Sequence, residues 1–169
     1  MKKLLLAVIV SLTTISSVAL AEIKVGIILG FTGPIETLTP AMRDSAKLAF
    51  AEVSASGALL GGETITPLIG DSTCVDSDAA VAAAEIIVND GAAAIMGADC
   101  SGVTGAIATN VAVPNGVTMV SPSATSPGLT SLADNGLFFR TAPSDAKGGQ
   151  VLAQVALDRG LTSVAVTYT

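Results

Sequence analysis

Hydroxyl groups, more than ionisable ones, mark the places in this 169-residue chain where chemistry could be done. Ser101 follows the run Gly97-Ala98-Asp99-Cys100 and stands just ahead of a helix predicted to begin at Gly102. Such a serine reads as an N-cap whose hydroxyl, with the free N–H groups of Gly102 and Val103, faces any incoming anion. A carboxylate set there gains from the positive end of the helix dipole without help from Lys or Arg. A serine that only caps its own helix has the same local sequence. The second cluster is Ser121-Pro122-Ser123-Ala124-Thr125-Ser126-Pro127, whose two prolines keep it from continuing as helix or strand. It presents backbone carbonyls and the Thr125 hydroxyl, and a carbonyl plus a hydroxyl is what an α-ammonium group requires. An ordinary turn between a strand and a helix shares this composition.

Other chemistries are closed off by composition. The chain has no histidine and no tryptophan. It can build no imidazole general base, no His-ligated zinc or haem and no Ser-His-Asp triad. The loop after the first predicted strand, Gly30-Phe31-Thr32-Gly33-Pro34, is not a G-x-G-x-x-G fingerprint, and neither a P-loop lysine nor a G-x-S-x-G elbow occurs. No catalytic residue, metal or cofactor is expected, and the chain reads as a binder rather than an enzyme.

The amino terminus reads as an address. Lys2 and Lys3 give a positive start, Leu4 to Val10 is uninterrupted apolar sequence, and Ala19-Leu20-Ala21 supplies a small-x-small cleavage site before Glu22. A membrane span needs about 20 mainly apolar residues, whereas Ser and Thr recur through residues 11–17. Glu22 in place of cysteine also argues against a lipid anchor. Residues 1–21 are therefore expected to be a signal peptide, and the mature chain a soluble protein outside the cytoplasm without a membrane anchor. In that oxidising compartment Cys74 and Cys100 are most simply a disulfide, with two free thiols or a metal site as alternatives. Net charge is −6, and loss of Lys2 and Lys3 with the leader takes it to −8. That sign, without a Lys/Arg cluster elsewhere, makes nucleic acid an unexpected partner.

The elements that must position these groups follow from periodicity. Ile23 to Leu29 reads as a buried parallel strand, and Thr39-Pro40 as the N-cap and first residue of a helix to about Ser54. That helix carries Met42, Ala46, Ala49, Phe50 and Val53 on one face. Ile65 to Ile69 is a strand placed at a sheet edge by Pro67. Asp76-Ser77 caps a helix over 78–89 that ends ahead of Gly91. Strands at 93–96, 117–120 and 137–140 alternate with helices over 102–111 and 145–159, the last with Val151, Leu152, Val155 and Ala156 on one face. A final strand is expected over Ser163 to Tyr168. The alternation predicts an α/β fold with an open parallel, Rossmann-like sheet flanked by helices, and its ligand crevice lies beyond the carboxyl ends of the strands. Loops 30–34, 97–101 and 121–125 meet there.

Five stretches carry a family resemblance: IKVGIILGFTGP from Ile23, Asp71-Ser72-Thr73-Cys74, VNDGAAAIMGADCS from Val88, SPSATSPGLT from Ser121 and FFRTAPSDAKGGQ from Phe138. Their order and spacing resemble the periplasmic leucine/isoleucine/valine-binding proteins of ABC transporters, which have the type I periplasmic binding protein fold. The resemblance implies a ligand-binding lobe over 22–144, with 145–169 as the crossover and beginning of a second lobe that breaks off at Thr169. It implies an amino-acid ligand trapped between lobes, an inner-membrane ABC permease as partner, a monomer, and an intralobe Cys74–Cys100 disulfide. Ser101 would bind the ligand carboxylate through its hydroxyl, Ser123 would offer its carbonyl to the α-ammonium, and Thr125 its hydroxyl and amide. Leu38 departs from the pattern, because many members place an aromatic residue there. An extracellular sensor domain is the alternative role for the same lobe.

Overall fold

The computed structural model describes residues 22–166, so the expected leader and the last residues of the expected final strand lie outside the described residues. Strand β1 is Glu22–Leu29 and helix α1 is Thr39–Ser56; β2 is Thr64–Asp71 and α2 is Ser77–Asn89. Strand β3, Ala94–Gly97, leads into α3, Ser101–Ile107, which widens into a π turn over Ala108–Ala112. Strands β4 (Thr118–Ser121) and β5 (Phe138–Arg140) follow, with a 3-10 turn over Pro127–Ser131 between them, and then α4, Asp145–Asp158.

The five strands form one sheet in the order β2-β1-β3-β4-β5, every pair parallel. β2 is the edge strand that Pro67 anticipates, since it pairs only with β1. The chain runs from β1 to β2 on one side and then returns past β1 to β3, so its direction across the sheet reverses between β1 and β3. The crevice of an open parallel sheet lies at such a reversal, beyond the carboxyl ends of the strands.

Side-chain alternation along β1 splits the sheet into two faces. Ile28 joins the main core with Ala80, Ala84 and Ile87 of α2 and Val103, Ile107, Val111 and Ala112 along α3. Alanines at the α2 contact let it lie close to the strands, and Ile87 fills space that side chains would otherwise take. A Cβ on Gly26 would come within 2.7 Å of its Cγ2, and one on Gly70 within 2.8 Å of its Cδ1. Asp76 caps α2 by accepting from the Asp78 and Ala79 amides, both at 3.0 Å, and Gly91 turns the chain out of it with φ +90°.

Three expectations need correction. Thr39 is not the N-cap of α1: it is buried, and its hydroxyl donates to the Gly30 carbonyl at 3.0 Å, while Leu38 occupies the cap position without a side-chain bond. The apolar face of α1 is only half covered, with Ala49 and Val53 exposed and Met42, Ala46 and Phe50 lining an open groove beside Met96 and Pro122. The final strand does not form over residues 163–166, which join no sheet and are exposed. No described strand offers that segment a ladder of amides and carbonyls, and an extended segment has no internal hydrogen bonds of its own. Helix α4 likewise buries none of its residues, although Val151, Leu152 and Val155 share a face as the sequence predicts.

Candidate functional site

The carboxyl ends of β1, β2, β3 and β4 deliver four loops to one edge of the sheet, and their polar groups are almost entirely bonded to each other. The Asp99 carboxylate, 4% exposed, accepts from the Gly30 amide at 2.8 Å, the Cys100 amide at 2.9 Å and the Ser72 hydroxyl at 3.3 Å. Asp71, at the end of β2, accepts from the Thr32 hydroxyl at 2.6 Å and from the Thr73, Phe31 and Thr32 amides at 2.8, 2.9 and 3.3 Å. Burial pushes the Asp71 carboxyl up, but these four donors outweigh it and hold the group below the ordinary carboxylate range. Cys74 and Cys100 form a disulfide across the same loops, with Cα atoms 5.2 Å apart. The cysteine pairing expected from compartment and resemblance is thus formed, and the free-thiol and metal alternatives fall away.

Glycine is required where the strands crowd. Gly97 ends β3 with φ +139°, and a Cβ there would collide with the carbonyl of Ile28 on β1. Gly33 has φ +95°, and its Cβ would strike the Thr73 carbonyl.

The predicted binding residues come together, in a different relationship from the one their sequence suggests. Ser101 does not cap its own helix: Cys100 holds the cap position without a side-chain bond, and Ser101 is the first helical residue. Its Oγ instead accepts from the Thr125 and Ser126 amides, each at 3.1 Å, and so fixes the 121–126 loop against the start of α3. The Ser101 proton has no acceptor among the described residues. Ser123 is exposed, its hydroxyl donates to the Asp99 carbonyl at 3.0 Å, and its own carbonyl accepts no bond among the described residues. Thr125 has its amide committed to Ser101, while its hydroxyl donates to Asp145 Oδ2 at 2.9 Å and its carbonyl accepts from the Asp145 amide at 3.0 Å. The expected Thr125 amide contact with a ligand therefore has a competitor, and the hydroxyl oxygen keeps lone pairs for a cation.

Three side chains outside the predicted set hold this arrangement. Ser121, fully buried, donates to the Ala98 carbonyl and accepts from the Ala124 amide. Arg140 donates to the Ala124 and Ser126 carbonyls at 3.3 and 2.8 Å and to the Thr130 hydroxyl, bracing the loop from behind. Asp99 ties the remaining loops. The only hint of Arg140 and Asp99 in the sequence was their place inside the family-like stretches. Neither the spacing nor the periodicity of those stretches says which partners they meet.

What the edge can do follows from what is left over. One hydroxyl proton at Ser101, one carbonyl at Ser123 and the lone pairs of one hydroxyl oxygen at Thr125 are left uncommitted, among loops that also carry Asp71, Asp99 and Asp145. Arg140, which braces the 121–126 loop, is occupied by carbonyls. No group of three or more His, Cys, Asp or Glu able to hold a metal occurs among the described residues.

Known proteins share the sequence pattern and the fold of this chain. The family model for periplasmic binding protein matches residues 22–169. A leucine-, isoleucine-, valine-, threonine- and alanine-binding protein of Pseudomonas aeruginosa is 34% identical over 143 residues, which is 85% of this chain and 37% of that protein. Among solved structures, the branched-chain amino acid transporter substrate-binding protein LivJ of Streptococcus pneumoniae in complex with isoleucine superposes with a TM-score of 0.65 at 28% identity, over 74% of this chain and 35% of that one. An ABC transporter substrate-binding protein of Desulfitobacterium hafniense complexed with leucine gives 0.70 at 25% identity, over 83% and 40%. The chain spans about two fifths of the length of the curated relatives it matches.

Proposed function

The chain belongs to the periplasmic binding protein family, and from that premise we propose that it captures a small aliphatic amino acid for an ABC transporter, without catalysing a reaction on it. The carrying observation is the set of uncommitted groups at the sheet edge. The Ser101 O–H donates to the ligand carboxylate, the Ser123 carbonyl accepts from the ammonium, and the Thr125 hydroxyl oxygen shares that cation. A zwitterion satisfies all three, whereas a simple carboxylic acid leaves the carbonyl and the threonine oxygen without a donor. Residues 22–144 form the ligand-binding lobe, and 145–169 lead toward a second lobe that closes on the ligand. The protein works in the periplasm as a monomer after removal of residues 1–21, and hands its ligand to an inner-membrane permease. The substrates named for the Pseudomonas relative and the leucine and isoleucine in the two solved relatives support the aliphatic class.

The test is calorimetric titration with a panel of amino acids, followed by Ser101→Ala. Loss of a hydrogen bond to a charged group costs about 1.5–3 kcal/mol, which weakens binding about tenfold or more. Because the Ser101 oxygen also receives two loop amides, Ser101→Cys serves as a milder companion. Unchanged affinity in both variants would remove Ser101 from the site.

A further inference from the structure

We propose that Asp99 is a positioning residue of the ligand site: it sets the relative placement of the loops that present Ser101, Ser123 and Thr125. The proposal rests on the amino-acid-binding reading above. Asp99 sits where the strand order reverses between β1 and β3, the crevice of the sheet. Its Oδ2 reaches across that gap to the Gly30 amide on the loop after β1. Its Oδ1 takes the Ser72 hydroxyl from the loop after β2 and the Cys100 amide of its own loop. Its carbonyl takes the Ser123 hydroxyl from the loop after β4. One residue therefore touches every loop at the edge, through bonds between positions 69, 27 and 24 apart in sequence.

Its chemistry argues for alignment over bulk stability. A carboxylate at 4% exposure has lost its water, and among the described residues no cation pairs with it. Burial of an unpaired charge is costly unless hydrogen bonds replace its hydration. Here three donors do so, and they come from three different loops. A carboxylate is acceptor-only at both oxygens, so it collects all three donors at once, which the amide of asparagine cannot do. In the Asp99→Asn variant, the side-chain NH2 must face either the Gly30 N–H or the Cys100 N–H, donor against donor. One of the loops is then released, while the volume at the position is unchanged.

The experiment uses protein purified from cells carrying the complete gene, comparing wild type, Asp99→Asn and Val111→Ala. Val111 is buried in the α2–α3 core, so its truncation lowers stability without touching the edge. Amide hydrogen exchange is read without ligand at residues 30–32 and 100–101, and leucine affinity is read by calorimetry well below each melting point. Asp99→Asn is expected to speed exchange at one or both loops and to weaken leucine binding about tenfold or more. Val111→Ala should lower the melting temperature and keep affinity within about twofold. Wild-type exchange at both loops in Asp99→Asn would overturn the proposal. So would an affinity loss that Val111→Ala reproduces at equal loss of melting temperature. If Asp99→Asn does not fold, Ser72→Ala, which removes only the longest of the three bonds, carries the exchange measurement: faster exchange at Cys100 supports the proposal and an unchanged rate overturns it. A wild type that binds no amino acid refutes the functional reading alone, since the exchange comparison needs no ligand.

Discussion

At the carboxyl edge of the sheet, four loops hold each other through side chains, whereas α4 and residues 161–166 beyond it bury nothing. Both regions are rich in small and aliphatic residues, and both begin with a good cap: Asp76 for α2, and Ser144 for α4, whose hydroxyl accepts from the Ala146 amide at 3.3 Å. Local sequence quality is therefore not what separates them. The edge is fixed because each of its loops leaves a strand already paired to a neighbour, so the donors of one loop arrive beside the acceptors of the next. Helix α4 follows the last strand of the sheet and has no described strand or helix to bury its apolar face. Its one firm attachment is polar, the pair of bonds between Thr125 and Asp145 at its first turn. Thr125 thus joins the rigid edge to the segment that leaves it.

The sharpest test of this contrast is a matched pair of truncations. Ile107→Ala, in the core where Ile107 is fully buried, should cost about 2–5 kcal/mol of unfolding free energy in denaturant titration. At the edge itself, replacing Cys74 and Cys100 together by serine should cost about 3–4 kcal/mol in the chain-entropy account of the 26-residue loop they close. A smaller loss would mean that Asp71 and Asp99 already restrain those loops without the cross-link.

Acid should loosen the edge as well. The folded Asp71 carboxyl lies below its unfolded value, so its contribution is present above the unfolded pKa of about 4 and is lost as pH falls through the lower folded value. Asp71→Asn should therefore be less stable than wild type near neutrality, with the gap closing below about pH 4. A gap that stays constant into acid would show that the four bonds to Asp71 do not depend on its charge. The smallest effect belongs to α4: Leu152→Ala, at 71% exposure, should change stability by no more than about 0.5 kcal/mol. A larger loss there would mean that α4 packs against something in solution.

Much of this architecture was legible in the residues. Pro67 placed its strand at an edge, and the Asp76 cap and Gly91 turn bounded α2, because each acts within a few residues of itself. The disulfide followed from compartment and count. The candidate site was half legible: Ser101 and Thr125 were picked out by type and loop position and Ser123 by the family resemblance, and the fold does bring Ser101 and Thr125 into direct contact. What the hydroxyls bond was not legible. Ser101 and Thr39 both read in the sequence as helix caps, yet each is the first helical residue; the first holds the 121–126 loop and the second donates to Gly30.

The sequence alone determined the alternation of strand and helix, since hydrophobic periods of two and of 3.6 residues are written along the chain. It also determined which side chains were available, and so excluded imidazole chemistry outright. Only the tertiary structure decided the strand order β2-β1-β3-β4-β5, the reversal between β1 and β3, and the partners of Asp99, Ser101 and Arg140. The reason is range: a hydrogen bond is decided within about 3 Å, and the groups that meet at this edge lie up to 69 positions apart in the sequence.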